Sequence, residues 1–149
     1  MPGTVTLHGV LRAPPARVYQ AFLDPAALVK WLPPHGFMAT VHECDVREGG
    51  GCRMSFTHFA TGASHGFSVH YVELLEGRRI RYTDTFDPGL GLPGEMDVVV
   101  EFGDSIAGTS LRIVQAGIPD AIPVDACYQG WQESLEQLAR LVEPEIPDA

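Results

Sequence analysis

Apolar and polar residues alternate with a period of two from Phe37 to Gln115, and stretches of helical period frame that region on both sides. The alternating part falls into six runs. Met38–Val46 and Cys52–Phe59 flank Gly49-Gly50-Gly51. Phe67–Leu75 and Arg79–Phe86 flank Glu76-Gly77-Arg78, and Glu95–Phe102 and Thr109–Gln115 flank Gly103–Gly108. Connections this short make consecutive strands antiparallel neighbours, so the six form a meander. Ala60–Ser64 and Asp87–Pro93 read as loops, and Thr4–Arg12 is a further strand ahead of the meander.

Two short helices follow that first strand. Pro14-Pro15 suits an opening helical turn, whose N–H groups have no intrahelical partner, and Val18, Ala21 and Phe22 form one apolar stripe. Asp24-Pro25 starts the second helix with an N-cap and a proline at the first helical position; Pro33-Pro34 stops it near Leu32. Beyond Ile122-Pro123, Val124, Cys127, Trp131, Leu135, Leu138 and Val142 recur at steps of three and four, giving one long amphipathic helix. Pro144 ends it, and 145–149 reads as a tail.

Alternation assigns the faces. Met54, Phe56 and His58 share one side of their strand, as do Phe67, Val69 and Tyr71 on the next. Ile80, Tyr82, Asp84 and Phe86 form a third set, Met96, Val98, Val100 and Phe102 a fourth, and Leu111, Ile113 and Gln115 a fifth. For Met38–Val46 the pattern does not choose a face. A seven-stranded sheet with one apolar face needs a cover, and the last helix is the only element long enough. The fold class is α+β: a helix grip, one domain over 1–149, with a curved antiparallel sheet wrapped on the C-terminal helix.

Five segments carry a family resemblance: VYQAFLDPAALVKWLPP, DVREGGGCRMSF, EGRRIRYTDTF, GTSLRIVQAGIP and YQGWQESLEQLARLV, spanning residues 18 to 142. With them the chain resembles the START/polyketide-cyclase/pollen-allergen-like (SRPBCC) superfamily and, more narrowly, the bacterial activator of heat shock protein 90 ATPase homologue-like proteins. The resemblance implies a helix-grip fold with an internal cavity. It also implies an aromatic where Cys52 stands and often a Trp where Asp84 stands, so this pocket differs in size at one point and is more polar at another. Eukaryotic activators carry their chaperone-stimulating work largely on a separate N-terminal domain for which this chain has no room, so a chaperone partner is disfavoured.

Composition narrows the partners. Ten basic and nineteen acidic residues leave a net charge of -9, which disfavours nucleic acid and anionic membrane surfaces. The N-terminus lacks the layout of a signal peptide, and no run approaches the roughly 18 apolar residues of a membrane span. Cys44, Cys52 and Cys127, odd in number and outside CxxC spacing, are most simply reduced thiols of a cytoplasmic protein, monomer or homodimer.

The candidate chemistry is a polar patch inside an apolar wall. Asp84, Tyr71, Tyr82, His58 and Gln115 fall on the face that carries Met54, Phe56, Phe67, Val69, Phe86, Met96, Val98, Val100 and Ile113. Cys127, Trp131 and Leu135 oppose them from the helix, and Trp31 and Phe37 flank Pro33-Pro34 at the expected mouth. An ionised carboxylate among apolar groups is costly unless paired, so Asp84 either sits solvated at the sheet's open end or orients a ligand there. The six histidines show no metal-binding spacing, the glycine run lacks a phosphate-loop ending, and no nucleophile motif is present, so no metal or cofactor is expected. Three functions are compatible. The first is a binding protein for a lipid-like or aromatic small molecule, hydrophobic or amphipathic. The second is a cyclase- or dehydratase-like enzyme using Asp84 with a Tyr or His. The third is a co-chaperone or stress-response interaction protein.

Overall fold

Proline and glycine punctuation sets the element order in the computed structural model, which describes residues 2–92 and 94–147. Strand β1 (Gly3–Leu11) leads into α1 (Pro15–Leu23) and α2 (Pro25–Trp31). The Asp24 carboxylate accepts a hydrogen bond from the Ala26 amide at 2.9 Å, the N-cap expected of Asp-Pro. Six strands follow: β2 (Phe37–Asp45), β3 (Gly51–His58), β4 (Ser64–Leu75), β5 (Arg79–Phe86), β6 (Met96–Ser105) and β7 (Gly108–Ile118). Helix α3 (Val124–Val142) closes the chain, with a single 3-10 turn (Pro88–Leu90) between β5 and β6. Of the expected 145–149 tail, Asp148 and Ala149 lie outside the described residues, as does Pro93 of the expected loop.

All seven strands join one antiparallel sheet in the order β1-β7-β6-β5-β4-β3-β2. The helix-grip arrangement is therefore observed. β6 and β7 run longer than the pattern alone suggests, because their hairpin tightens to two residues, Ile106 and Ala107. β4 begins three residues before Phe67. Bulges interrupt β2 between Val41 and Glu43, and β4 between Tyr71 and Glu73. The first bulge resolves the undecided face of β2: Phe37, Ala39 and Val41 turn inward, and beyond it Cys44 does.

The sheet's concave face is unevenly filled. Toward β1, β7 and β6 it is solid core: Trp31, Val18, Val100, Ile113 and Leu138 are fully buried, and Phe22 stacks edge-on against both Trp31 and Phe102. Trp31 donates its ring N–H to the Ala21 carbonyl at 2.9 Å, tying α2 to α1. A smaller apolar cluster of Cys52, Met54, Phe67, Val69 and Tyr71 lies under β3 and β4.

One expectation about the cysteines is overturned. Cys44 and Cys52 face each other across the β2–β3 ladder and form a disulfide, so only Cys127 is a free thiol. The bulge in β2 sets this register. Reduced thiols therefore no longer support a cytoplasmic location. No described helix is long and apolar enough to cross a membrane.

Gly51, where β3 starts, allows an unusually close approach of two backbones. A Cβ there would overlap the Val69 carbonyl oxygen. Gly51→Ala is accordingly expected to destabilise the protein by about 1–3 kcal/mol, the usual cost of overpacking. Urea unfolding measures it, and an unchanged midpoint would show that β3 and β4 can part there.

Candidate functional site

Between the β3–β5 part of the sheet and the first half of α3 the side chains do not meet, and a cavity of about 360 Å³ opens to one side. The sheet contributes Phe56, His65, Phe67, Val69, Tyr82, Asp84, Phe86, Met96 and Gln115. Leu32 and Pro34 close one flank, and Ile122, Ala126, Cys127, Gly130, Trp131 and Ser134 close the helix side. The volume equals that of about a dozen water molecules.

Asp84 stands at the centre of the sheet wall, paired in register with Val69 on β4 and Met96 on β6. The residue as a whole keeps some exposure, but its Oδ1 is shut off from solvent and has no hydrogen-bond partner among the described residues. Burial among apolar neighbours disfavours the carboxylate and pushes its pKa up to about 7. The same burial raises the Tyr82 hydroxyl well above its ordinary value, with the Asp84 and Tyr71 charges adding to it. Tyr71 is pushed up to about 12 by burial. Both phenols are therefore neutral at physiological pH.

Two other polar groups of the wall, Gln115 and Ser134, are already engaged. Trp131 donates its ring N–H to Gln115 Oε1 at 2.9 Å, and Gln115 Nε2 donates to the Met96 sulfur at 3.3 Å. Ser134 Oγ donates to the Leu32 carbonyl at 2.6 Å. Gln137, one turn on, reaches the Trp31 and Pro33 carbonyls at 2.8 and 2.7 Å. These bonds fix α3 to the C-terminal end of α2. Burial raises the Cys127 thiol, which places it as an inert wall group rather than a thiolate nucleophile.

Ten of the expected residues thus line the cavity: Phe56, Phe67, Val69, Tyr82, Asp84, Phe86, Met96, Gln115, Cys127 and Trp131. Trp31, Met54 and Tyr71 sit one layer behind it, around a void of about 20 Å³. Trp31 is therefore core rather than mouth, because Phe22 and the Ala21 carbonyl hold its ring inward. Val98, Val100, Ile113 and Leu135 point to the expected side but belong to the packed core of the other half. Phe37 lies outside the wall, edge-on to His58 and His65. His58 is drawn away from Asp84's cavity. Its Nδ1 lies within hydrogen-bond distance of the Thr61 amide, at 3.2 Å, in the β3–β4 connection. His65, two residues before Phe67 on the same face, lines the cavity instead, although the sequence had not singled it out. Leu32, Pro34, Ile122, Ala126, Gly130 and Ser134 complete the lining without having stood out in the sequence. Among the described residues no group of three His, Cys, Asp or Glu side chains is placed to hold a metal.

A curved seven-stranded sheet gripping a C-terminal helix over a half-filled core defines the class: an SRPBCC domain. Residues 12–143 match the family described as activator of Hsp90 ATPase homolog 1-like protein, and the chain belongs to that family. Among solved structures it is similar to protein CV1439 from Chromobacterium violaceum. That similarity is at 57% identity and TM-score 0.94, covering 97% of this chain and 100% of that one. A Rhizobium leguminosarum protein is 25% identical with TM-score 0.80, each chain covered to 97%. Protein NE0264 from Nitrosomonas europaea, 20% identical over 94% of both chains with TM-score 0.77, shares the fold. No curated protein matches the sequence.

Proposed function

We propose that this chain binds a small hydrophobic or amphipathic molecule between its sheet and its C-terminal helix. One observation carries the reading: an apolar cavity of about 360 Å³ encloses a carboxyl oxygen that no group among the described residues satisfies. Buried polar atoms are nearly always hydrogen-bonded, and a mainly apolar hollow with a few unspent polar groups is the usual form of a small-molecule site. Catalysis gains less support. General acid–base work needs Asp84 with a Tyr or His in reach of the reacting proton; His58 is held at the β3–β4 connection, and Tyr82, which does line the cavity, is a phenol that burial disfavours as a base. No residue of the site explains the chaperone-stimulating activity in the family's name.

Gly130 supplies the test. It lines the cavity from α3, and a Cβ built on it meets nothing within 4 Å. Gly130→Leu puts a side chain into the hollow and replaces glycine within a helix, a change worth up to about 1 kcal/mol in propensity. The variant is expected to be at least as stable as the parent and to lose ligand. Native mass spectrometry of gently purified protein and a thermal-shift screen of lipids and aromatic compounds provide the readout. If Gly130→Leu gives the same bound masses and the same shifts as the parent, the ligand is not in this cavity.

A further inference from the structure

We infer that the cavity selects a protonated amine carried on an aromatic or branched apolar body, with the ammonium group resting against Asp84. The inference rests on the cavity reading and gives it a ligand class. Asp84 Oδ1 is the acceptor left over once Gln115 has taken Trp131 and Ser134 has taken the Leu32 carbonyl. Among the described residues no Lys or Arg lines the hollow. Its titratable groups are His65 on β4, Tyr82 and Asp84 on β5, and Cys127 on α3, with none contributed by β6. A ligand carboxylate or phosphate would meet another carboxylate there with no fixed positive charge to offset it. A neutral hydroxyl could donate one hydrogen bond. An ammonium donates as well and supplies the counter-charge that the site lacks, the arrangement that makes a buried carboxylate tolerable. The chain's net charge of -9 attracts cations to the opening as well.

Burial holds the empty-site carboxyl up to about 7. An ammonium favours its ionised form, so amine affinity should rise as pH rises toward 7 and level off above it, until the amine itself deprotonates.

The test uses three probes with one indole body: tryptamine, tryptophol and indole-3-acetate, titrated by calorimetry at pH 7.5 into the parent, Asp84→Asn and Gly130→Leu proteins. Tryptamine is expected to bind about tenfold or more tighter than tryptophol, the difference that one charge-assisted hydrogen bond supplies, and indole-3-acetate weakest. Asp84→Asn should bring tryptamine down to the level of tryptophol, and Gly130→Leu should weaken both. Equal binding of tryptamine and tryptophol by the parent protein overturns the amine inference and leaves the cavity reading standing. Amine preference that survives Asp84→Asn places the cation elsewhere and also overturns it. Binding of none of the three overturns the amine inference, and the cavity reading then rests on the Gly130→Leu comparison in the wider screen.

Discussion

Asp84→Asn is expected to raise the stability of the ligand-free protein at pH 7 and above, and to leave it nearly unchanged at pH 4. The sign follows from the two end states. In the folded chain the carboxyl titrates near 7, and in the unfolded chain at the ordinary 3.8. Below about pH 4 both states hold the proton. Between 4 and 7 only the folded state does, so stability falls as pH rises, by ~1.4 kcal/mol per unit of pH. Above 7 the penalty is constant. The full span corresponds to about 4 kcal/mol, and partial exposure of the residue brings the expectation to about 2 kcal/mol. That is a gain of roughly 5 °C in Tm for a domain of this size. Thermal unfolding from pH 4 to 8 measures it. Parallel profiles for parent and variant would mean that the carboxylate is solvated after all.

Trp31→Ala should give the largest loss of any single change considered. The ring is fully buried, stacks edge-on with Phe22 at 4.7 Å between centroids, and satisfies the Ala21 carbonyl. Truncating a buried Trp costs about 3–5 kcal/mol in cavity and transfer terms. The orphaned carbonyl adds to this, so Tm should fall by roughly 10 °C or more. Chemical denaturation gives the difference directly. A loss under about 1 kcal/mol would return Trp31 to the cavity's mouth, where its neighbourhood of prolines had suggested it belonged.

The sequence was most legible where one physical signal acted alone. The stripe from Val124 to Val142 and the Asp24-Pro25 cap gave helices at the observed places, since period and capping chemistry are local. Side-chain alternation placed Phe67, Val69, Tyr82, Asp84 and Met96 on the inner face correctly, because facing is also local. Depth is not. Val98, Val100 and Ile113 share that face, yet α1 and the end of α3 fill the space above them, and only tertiary packing decides which half of a concave sheet stays hollow. The bulge after Val41 hid the face of β2, since one extra residue reverses the parity that the pattern depends on. The Cys44–Cys52 disulfide was missed because an odd number of cysteines outside CxxC spacing read as reduced thiols. His65 escaped because β4 was read as starting at Phe67. Gly130, Ala126 and Ser134 matter through what they leave empty, and small residues on a helix leave no hydrophobic signal.

The bonds that seat α3 on α2 run from side chains of one helix to backbone carbonyls of the other, at Trp31, Leu32 and Pro33. Carbonyls do not change when side chains mutate. The spacing of this wall is thus insulated from substitution at the residues that supply the acceptors. Phe56, Phe67, Ile122 or Asp84 can be exchanged, altering the lining of the hollow, while the frame around it keeps its width. A scaffold partitioned in this way lets the shape and polarity of the hollow drift during evolution without asking the fold to be solved again.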